Sequence, residues 1–281
     1  MSSSASPIVA FIGGGNMATS LVGGLLASGF TPAQLRVAEP DAGKAQALRE
    51  RFGITVAASG AEIVSGASAL VLAVKPQQMI AALSGLKPDA GALALSIAAG
   101  VRIDTLRSAL PAGVHVVRSM PNTPSLYGVG ITGLFAPAGT PEPTRALADR
   151  ILAAAGQTCW VDNEADLDAV TAVSGSGPAY FFLLTEAIRE AGVALGLSPE
   201  VSAQLAARTL VGAAKMVDAG GTDVAELRAQ VTSKGGTTFA ALQSLEKAGL
   251  RPIFTEALRA AADRSRELGD EFAAASRPSI N

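Results

Sequence analysis

Along the first 160 residues, short runs of β-branched and aliphatic residues alternate with longer stretches of helical periodicity. The runs fall at 8–12, 35–38, 69–74, 93–98, 115–120 and 131–135, and a further run at 159–161 closes the set. The stretches between them are rich in Ala, Leu, Glu and Lys and carry helix starts, for example 41–52 and 141–155. Strands alternating with helices predict a parallel sheet covered on both faces. The central runs are apolar on both alternating faces, as strands buried on both sides require.

Beyond Asp162 the strand pattern stops. Residues 164–173, 178–195, 199–219, 223–231, 238–248 and 253–268 all read as helix, with Pro178 and Pro199 suited to first turns and Gly196 to a stop. The pattern divides the chain near 162: an α/β domain over 1–162, then an all-α domain over 163–281. The first seven residues and residues 273–281 read as tails. Residues 179–184, Ala-Tyr-Phe-Phe-Leu-Leu, are apolar all round the helix. Such a helix must be surrounded, and six helices give little to surround it with. The expectation is that a second copy completes the bundle as an intertwined dimer; a central helix of a monomeric bundle is the alternative.

Composition narrows the chemistry. The chain has 281 residues, 22 Lys and Arg against 24 Asp and Glu, and no basic stripe, which argues against a nucleic-acid surface. No apolar run approaches the ~18–20 residues of a membrane span, and the polar start lacks the features of a signal peptide. One cysteine, Cys159, and one histidine, His115, leave no internal disulfide and little for a metal site or a His-based triad. A cytoplasmic setting, no metal and chemistry carried by a cofactor follow as expectations. Cys159 is read as a small buried hydrophobe and His115 as structural.

Residues 8–18, Ile-Val-Ala-Phe-Ile-Gly-Gly-Gly-Asn-Met-Ala, form a strand, a glycine turn and a helix start. Gly13, Gly15 and Ala18 fit the G-x-G-x-x-G/A fingerprint, which seats a pyrophosphate on the free N–H groups of a helix N-terminus. Glu39, 24 residues after Gly15, stands where an acidic residue accepts hydrogen bonds from the adenosine ribose and repels a 2′-phosphate. That favours NADH; the counter-reading turns Glu39 outward and lets Arg36 or Lys44 serve a phosphate. Ala73-Val-Lys-Pro76 and Ser96-Ile-Ala-Ala-Gly100 end later strands, where doubly wound sheets bind ligands. Lys75 is either a proton donor or a plain strand-end cation. Arg118-Ser-Met-Pro-Asn-Thr-Pro124 is a proline-stiffened loop suited to a site wall. In the turn before the apolar helix, Ser174 or Ser176 could cap and the glycines admit a close backbone.

Residues 232–238, Thr-Ser-Lys-Gly-Gly-Thr-Thr, break the helical half without a carboxylate, His or Cys. One reading is a plain boundary capped by Thr237 or Ser233. The other is an anion cradle, in which Gly235 and Gly236 let the N–H groups of the next helix meet a carboxylate.

Taken in order, these stretches, with Gly-Ala-Ala-Lys-Met-Val and Val-Thr-Ser-Lys-Gly-Gly-Thr-Thr, closely resemble the pyrroline-5-carboxylate reductase family from residue 11 to about 250. The resemblance implies a Rossmann-type doubly wound sheet followed by an all-α dimerisation domain, with dimers often grouped into decamers. It implies reduction of 1-pyrroline-5-carboxylate to L-proline by NADPH or NADH. It places the nucleotide on Ile12, Gly13, Gly14, Gly15, Asn16 and Met17, on Glu39 and Gly60, on Ala73, Val74, Lys75 and Pro76, and on Ile97, Ala98 and Ala99. It places substrate on Glu164, Ser233, Gly236, Thr237 and Thr238, beside the flexible Gly235. Many members carry Ser or Thr at Glu39 and Asn at Gly60, which puts the family's usual NADPH preference in doubt here; many carry Pro at Lys234. Reducing a cyclic imine needs no strong side-chain acid, and Thr238 is the candidate hydroxyl donor to the nitrogen. The alternatives are a two-domain dehydrogenase of keto or hydroxy acids and a nucleotide-binding regulator.

Overall fold

The computed structural model describes residues 7–275. Eight strands, β1 (Val9–Ile12), β2 (Leu35–Ala38), β3 (Thr55–Ala57), β4 (Ala69–Leu72), β5 (Leu93–Ser96), β6 (His115–Met120), β7 (Gly130–Phe135) and β8 (Gly156–Trp160), form one sheet in the order β3-β2-β1-β4-β5-β6-β7-β8. The order reverses between β1 and β4, the switch point at which such sheets open a crevice at their strand ends. All neighbours pair in parallel except β6 and β7, which are antiparallel. The parallel expectation needs that correction, and the cause is connection length: only a short turn at Thr123–Tyr127 separates β6 from β7, too little chain for a crossover.

The sheet's two faces carry separate cores. On one, Phe11, Val37, Val71 and Leu95 pack under α1 (Asn16–Ala27), α2 (Ala42–Phe52) and α5 (Glu142–Ala153). On the other, Ile12, Leu70, Leu72 and Ala94 pack under α3 (Met79–Leu83) and α4 (Ile103–Ala109). Helix ends follow the sequence: Asp41 caps α2 by accepting from Lys44 N at 2.9 Å, and Gly53 ends it with φ of 65°.

After β8 come α6 (Asp166–Val170) and a π-helical turn at Thr171–Gly175, then α7 (Gly177–Ala194), α8 (Pro199–Asp218), α9 (Val224–Gln230), α10 (Thr237–Lys247) and α11 (Leu250–Ala275). Strands therefore end at Trp160, while the compact units divide elsewhere: one holds 1–175 and 261–281, the other Ser176–Ala260. Helix α11 runs unbroken through 250–275 and contributes to both units. Its last turn includes 273–275, expected as tail; 276–281 and the expected N-terminal tail through residue 6 lie outside the described residues.

The unit Ser176–Ala260 has almost no interior of its own. Among its described residues Ala206 is the one buried hydrophobic side chain, while Phe181, Phe182, Leu183 and Ile188 on α7 are all at least half exposed. No helix among the described residues is long and apolar enough to cross a membrane.

Candidate functional site

The carboxyl ends of β1, β2 and β4 converge on the glycine turn. Gly13 holds φ of +104°, donates its N–H to Ala38 O at 2.9 Å, and lies so close to β4 that a Cβ would sit 2.8 Å from Ala73 O. No side chain larger than hydrogen fits there. Gly15, extended, is the N-cap of α1; no side chain caps it and no acid occupies the first turn. Nothing lies within 4 Å of a Cβ built on Gly15. The turn thus offers an open helix N-terminus to an anion, with partial positive charge and unsatisfied N–H groups.

Glu39 follows β2 and is 8% exposed, turned inward. Its Oε2 accepts from Gly14 N at 3.0 Å and its Oε1 accepts from Asp41 N at 3.0 Å. One carboxylate therefore braces the glycine turn against the β2–α2 loop. The outward orientation weighed from sequence is not adopted. Arg36 is committed elsewhere, its NH1 donating to Ile63 O at 3.2 Å and Ser65 O at 2.8 Å. Beside Glu39 lies a hollow of about 540 Å³, bounded by Gly13, Ala38, Gly60, Val74 and Gln78 among others. Gly60 lies in its wall, where a Cβ would fall 2.9 Å from Leu86 Cδ2, the movable end of a side chain. These features fit a dinucleotide: a bare helix N-terminus for pyrophosphate, a carboxylate, and a hollow at the β1–β2–β4 ends.

Ala73 and Val74 follow β4, Lys75 is exposed and Pro76 opens a 3₁₀ turn at Pro76–Gln78. Past β5, Ala98 N donates to Ser96 Oγ at 3.3 Å, and Ser119 Oγ donates to Ser96 O at 2.8 Å, which sets the start of the stretch 97–99. The proline-stiffened loop is anchored by Asn122, whose Nδ2 donates to Ser174 O at 3.2 Å and whose Oδ1 accepts from Ile131 N at 3.0 Å. Glu164 stands in an ion pair with Arg118, its Oε1 accepting from Arg118 NH1 at 2.7 Å and from Ile103 N at 2.8 Å. Arg118 is 6% exposed, and its Nε has no hydrogen-bond partner. Sequence reasoning missed this pairing: an arginine inside a buried strand demands a counter-charge, but nothing in its own stretch names the partner.

The hydroxyl tract lies in the helical unit. Gly235 has φ of +74°, Gly236 N donates to Ser233 O at 3.0 Å, and Gly236 is the N-cap of α10, with no side-chain cap and no acid in the first turn. The plain reading, in which Thr237 or Ser233 caps the helix, is not what forms. Thr237 and Thr238 occupy the exposed first turn.

Three smaller expectations change. Neither Ser174 nor Ser176 caps α7: Ser174 Oγ donates to Val170 O at 2.9 Å, and Ser176 makes no cap bond. Cys159 is exposed, because β8 is an edge strand and alternate side chains point away from the core. His115 opens β6 and is partly buried. Among the described residues no cluster of three or more His, Cys, Asp or Glu is placed to hold a metal.

Sheet order, glycine turn and bare helix N-terminus place the chain in the doubly wound, dinucleotide-binding class. The chain is 46% identical over 268 residues to a pyrroline-5-carboxylate reductase of Pseudomonas aeruginosa, covering 95% of this chain and 98% of that one. It belongs to the pyrroline-5-carboxylate reductase family. Residues 164–268 match the family described as pyrroline-5-carboxylate reductase dimerisation, and 8–100 match that described as NADP oxidoreductase coenzyme F420-dependent. A solved pyrroline-5-carboxylate reductase of Coxiella burnetii superposes with a TM-score of 0.87 at 38% identity, covering 94% of this chain and 99% of that one. A Plasmodium falciparum pyrroline carboxylate reductase with NADP bound gives a TM-score of 0.78 at 29% identity, covering 94% and 98%.

Proposed function

We propose that this chain reduces 1-pyrroline-5-carboxylate to L-proline with NAD(P)H, the last step of proline biosynthesis, as a cytoplasmic homo-oligomer. The observation that carries the reading is the pairing, in a chain of this family, of two glycine-led helix starts without side-chain caps: α1 on Gly15 and α10 on Gly236. The first suits a pyrophosphate and the second a small carboxylate.

In this proposal residues 1–162 bind the dinucleotide and 163–281 supply substrate contacts and the dimer. Ile12, Gly13, Gly14, Gly15, Asn16 and Met17 carry the pyrophosphate, Glu39 and Gly60 the adenosine, and 73–76 and 97–99 the rest of the cofactor. Ser233, Gly235, Gly236 and Thr237 hold the substrate carboxylate through backbone N–H and hydroxyl groups, Thr238 donates to the ring nitrogen, and Glu164 lies on the substrate side. The buried inward carboxylate of Glu39 and the engagement of Arg36 support NADH over NADPH, since a 2′-phosphate would meet a negative charge with Arg36 already committed, leaving only the exposed Lys44 of the counter-reading to serve it.

Bound NAD(P)H supplies the hydride at the imine carbon. The protein's task is orientation: fixing the carboxylate locks the ring in position, and holding two reactants in attack geometry supplies much of such a rate enhancement. An imine protonated at nitrogen is already electrophilic, so a hydroxyl donor at the developing amine suffices. The exposed apolar face of α7 supports an intertwined dimer, and grouping of dimers into a decamer extends the same reading.

The test compares oxidation of NADH and NADPH with 1-pyrroline-5-carboxylate and with 2-keto and 3-hydroxy acids, identifying proline as product. Turnover confined to keto or hydroxy acids would point to a different dehydrogenase, and cofactor binding without any turnover to a regulator.

A further inference from the structure

The turn after β5 is clasped from behind by the end of α11, within the same compact unit. Gly100 is buried with φ of +74°, and a Cβ on it would lie 3.1 Å from Phe272 Cε2 and 3.6 Å from Gly269 N. Gly269 is buried in turn, and a Cβ there would lie 3.1 Å from Arg102 Nε and 3.3 Å from Gly100 O. The two backbones touch because both positions lack side chains. Around that contact, Arg102 NH1 pairs with Asp270 Oδ1 at 2.7 Å and Ser265 Oγ donates to Asp168 Oδ1 at 2.6 Å. The Phe272 ring packs against the apolar cluster that includes Ala98, Val101 and Ile103.

We propose that Phe272 is a positioning residue for the nicotinamide half of the cofactor, acting through Gly100 on the stretch 97–99. Topology assigns that half. Glu39 follows β2, and the hollow, which also reaches the turn after β4, extends to Ser59 and Gly60 beyond β3, so the adenosine half belongs on that side and the opposite half crosses the β4 and β5 ends. The 97–99 stretch is fixed at its start by Ser96 and at its far end by the Gly100 turn, which rests on Phe272 and Gly269. Removing the ring leaves the adenosine site intact and frees the far end of the wall. The inference rests on the reading of 97–99 as cofactor-facing.

ADP-ribose, which lacks the nicotinamide, separates the two halves. In Phe272→Ala the Kd for NADH, read by its fluorescence, rises at least about fivefold, close to 1 kcal/mol, while the Kd for ADP-ribose changes less than about twofold. Phe272→Leu, which keeps apolar bulk, restores most of the NADH affinity. Gly269→Ala, which pushes the turn without removing the ring, shifts NADH affinity more than ADP-ribose affinity and serves if Phe272→Ala does not fold. Equal weakening of both ligands, or of neither, overturns the proposal. Wild-type protein that binds NADH but does not reduce 1-pyrroline-5-carboxylate sinks the functional reading and leaves this comparison of ligands standing.

Discussion

The two compact units are built to opposite standards of completeness. The sheet unit buries both faces of its sheet in two dense clusters. The helical unit, Ser176–Ala260, carries nineteen of the twenty-four large hydrophobic side chains that stand exposed among the described residues. Full burial of one such side chain contributes about 1.5–3 kcal/mol. A bundle that leaves so many in water closes no core of its own, and the region matched to the dimerisation family, 164–268, spans it. The lesson concerns division of labour: the sheet unit closes its core by itself, whereas the unit bearing the hydroxyl tract leaves its apolar faces open, and our proposal is that association completes it.

The sharpest way to break this comparison is to charge the helical face alone. Leu184→Asp with Ile188→Asp, both on α7 and about half exposed in the single chain, buries two carboxylates in any dimer. We expect loss of the oligomer and a fall in kcat/KM of about 100-fold or more, while NADH binding by the sheet unit stays within about twofold. Retained assembly would show that α7 is not the covered face.

Next in size, Thr238→Ala should lower kcat/KM by roughly 10–100-fold, about 1.4–2.7 kcal/mol of transition-state stabilisation, with cofactor affinity unchanged. Unaltered kinetics would remove Thr238 from the mechanism. Glu39→Ser should move the NADH-to-NADPH ratio of kcat/KM towards NADPH by about tenfold or less. It should also lower Tm, since Gly14 N and Asp41 N lose their acceptor. A lower Tm with an unmoved ratio would make Glu39 a brace and not a reader of the ribose. The smallest effect belongs to helix caps. Asp223→Ala, which removes the acceptor of Ala225 N at the start of α9, should cost about 1 kcal/mol. Because α9 lies in the associating unit, its Tm should rise with protein concentration; a concentration-independent Tm would argue against coupled assembly.

Much of the sheet unit was legible because its signals are local. Buried parallel strands read as apolar runs, and the glycine turn announces itself between β1 and α1. What escaped was either very short or non-local. β3 has three residues, Thr55–Ala57, too few for a period to show. The reversal of β7 depends on connection length more than on its residues. Glu164 sits 46 positions from Arg118, and no pattern in either stretch announces the pair. The clasp of Phe272 on Gly100 is equally distant, and the sequence alone stopped the last helix at 268, a full turn before Phe272. In the helical half the all-round apolar α7 was plain, and its exposure in a single chain is what a partner-completed bundle entails. The tract 232–238 was legible as unusual but ambiguous. Geometry removed the side-chain cap from consideration and left Gly236 as the helix start.

The most direct measurement is sedimentation velocity of the active protein at about micromolar concentration with kcat/KM determined on the same sample. The account predicts turnover of 1-pyrroline-5-carboxylate by a species of at least twice the 28.1 kDa chain mass. A fully active species at 28.1 kDa would contradict it, because the helical unit would then be working without a second copy to complete its core.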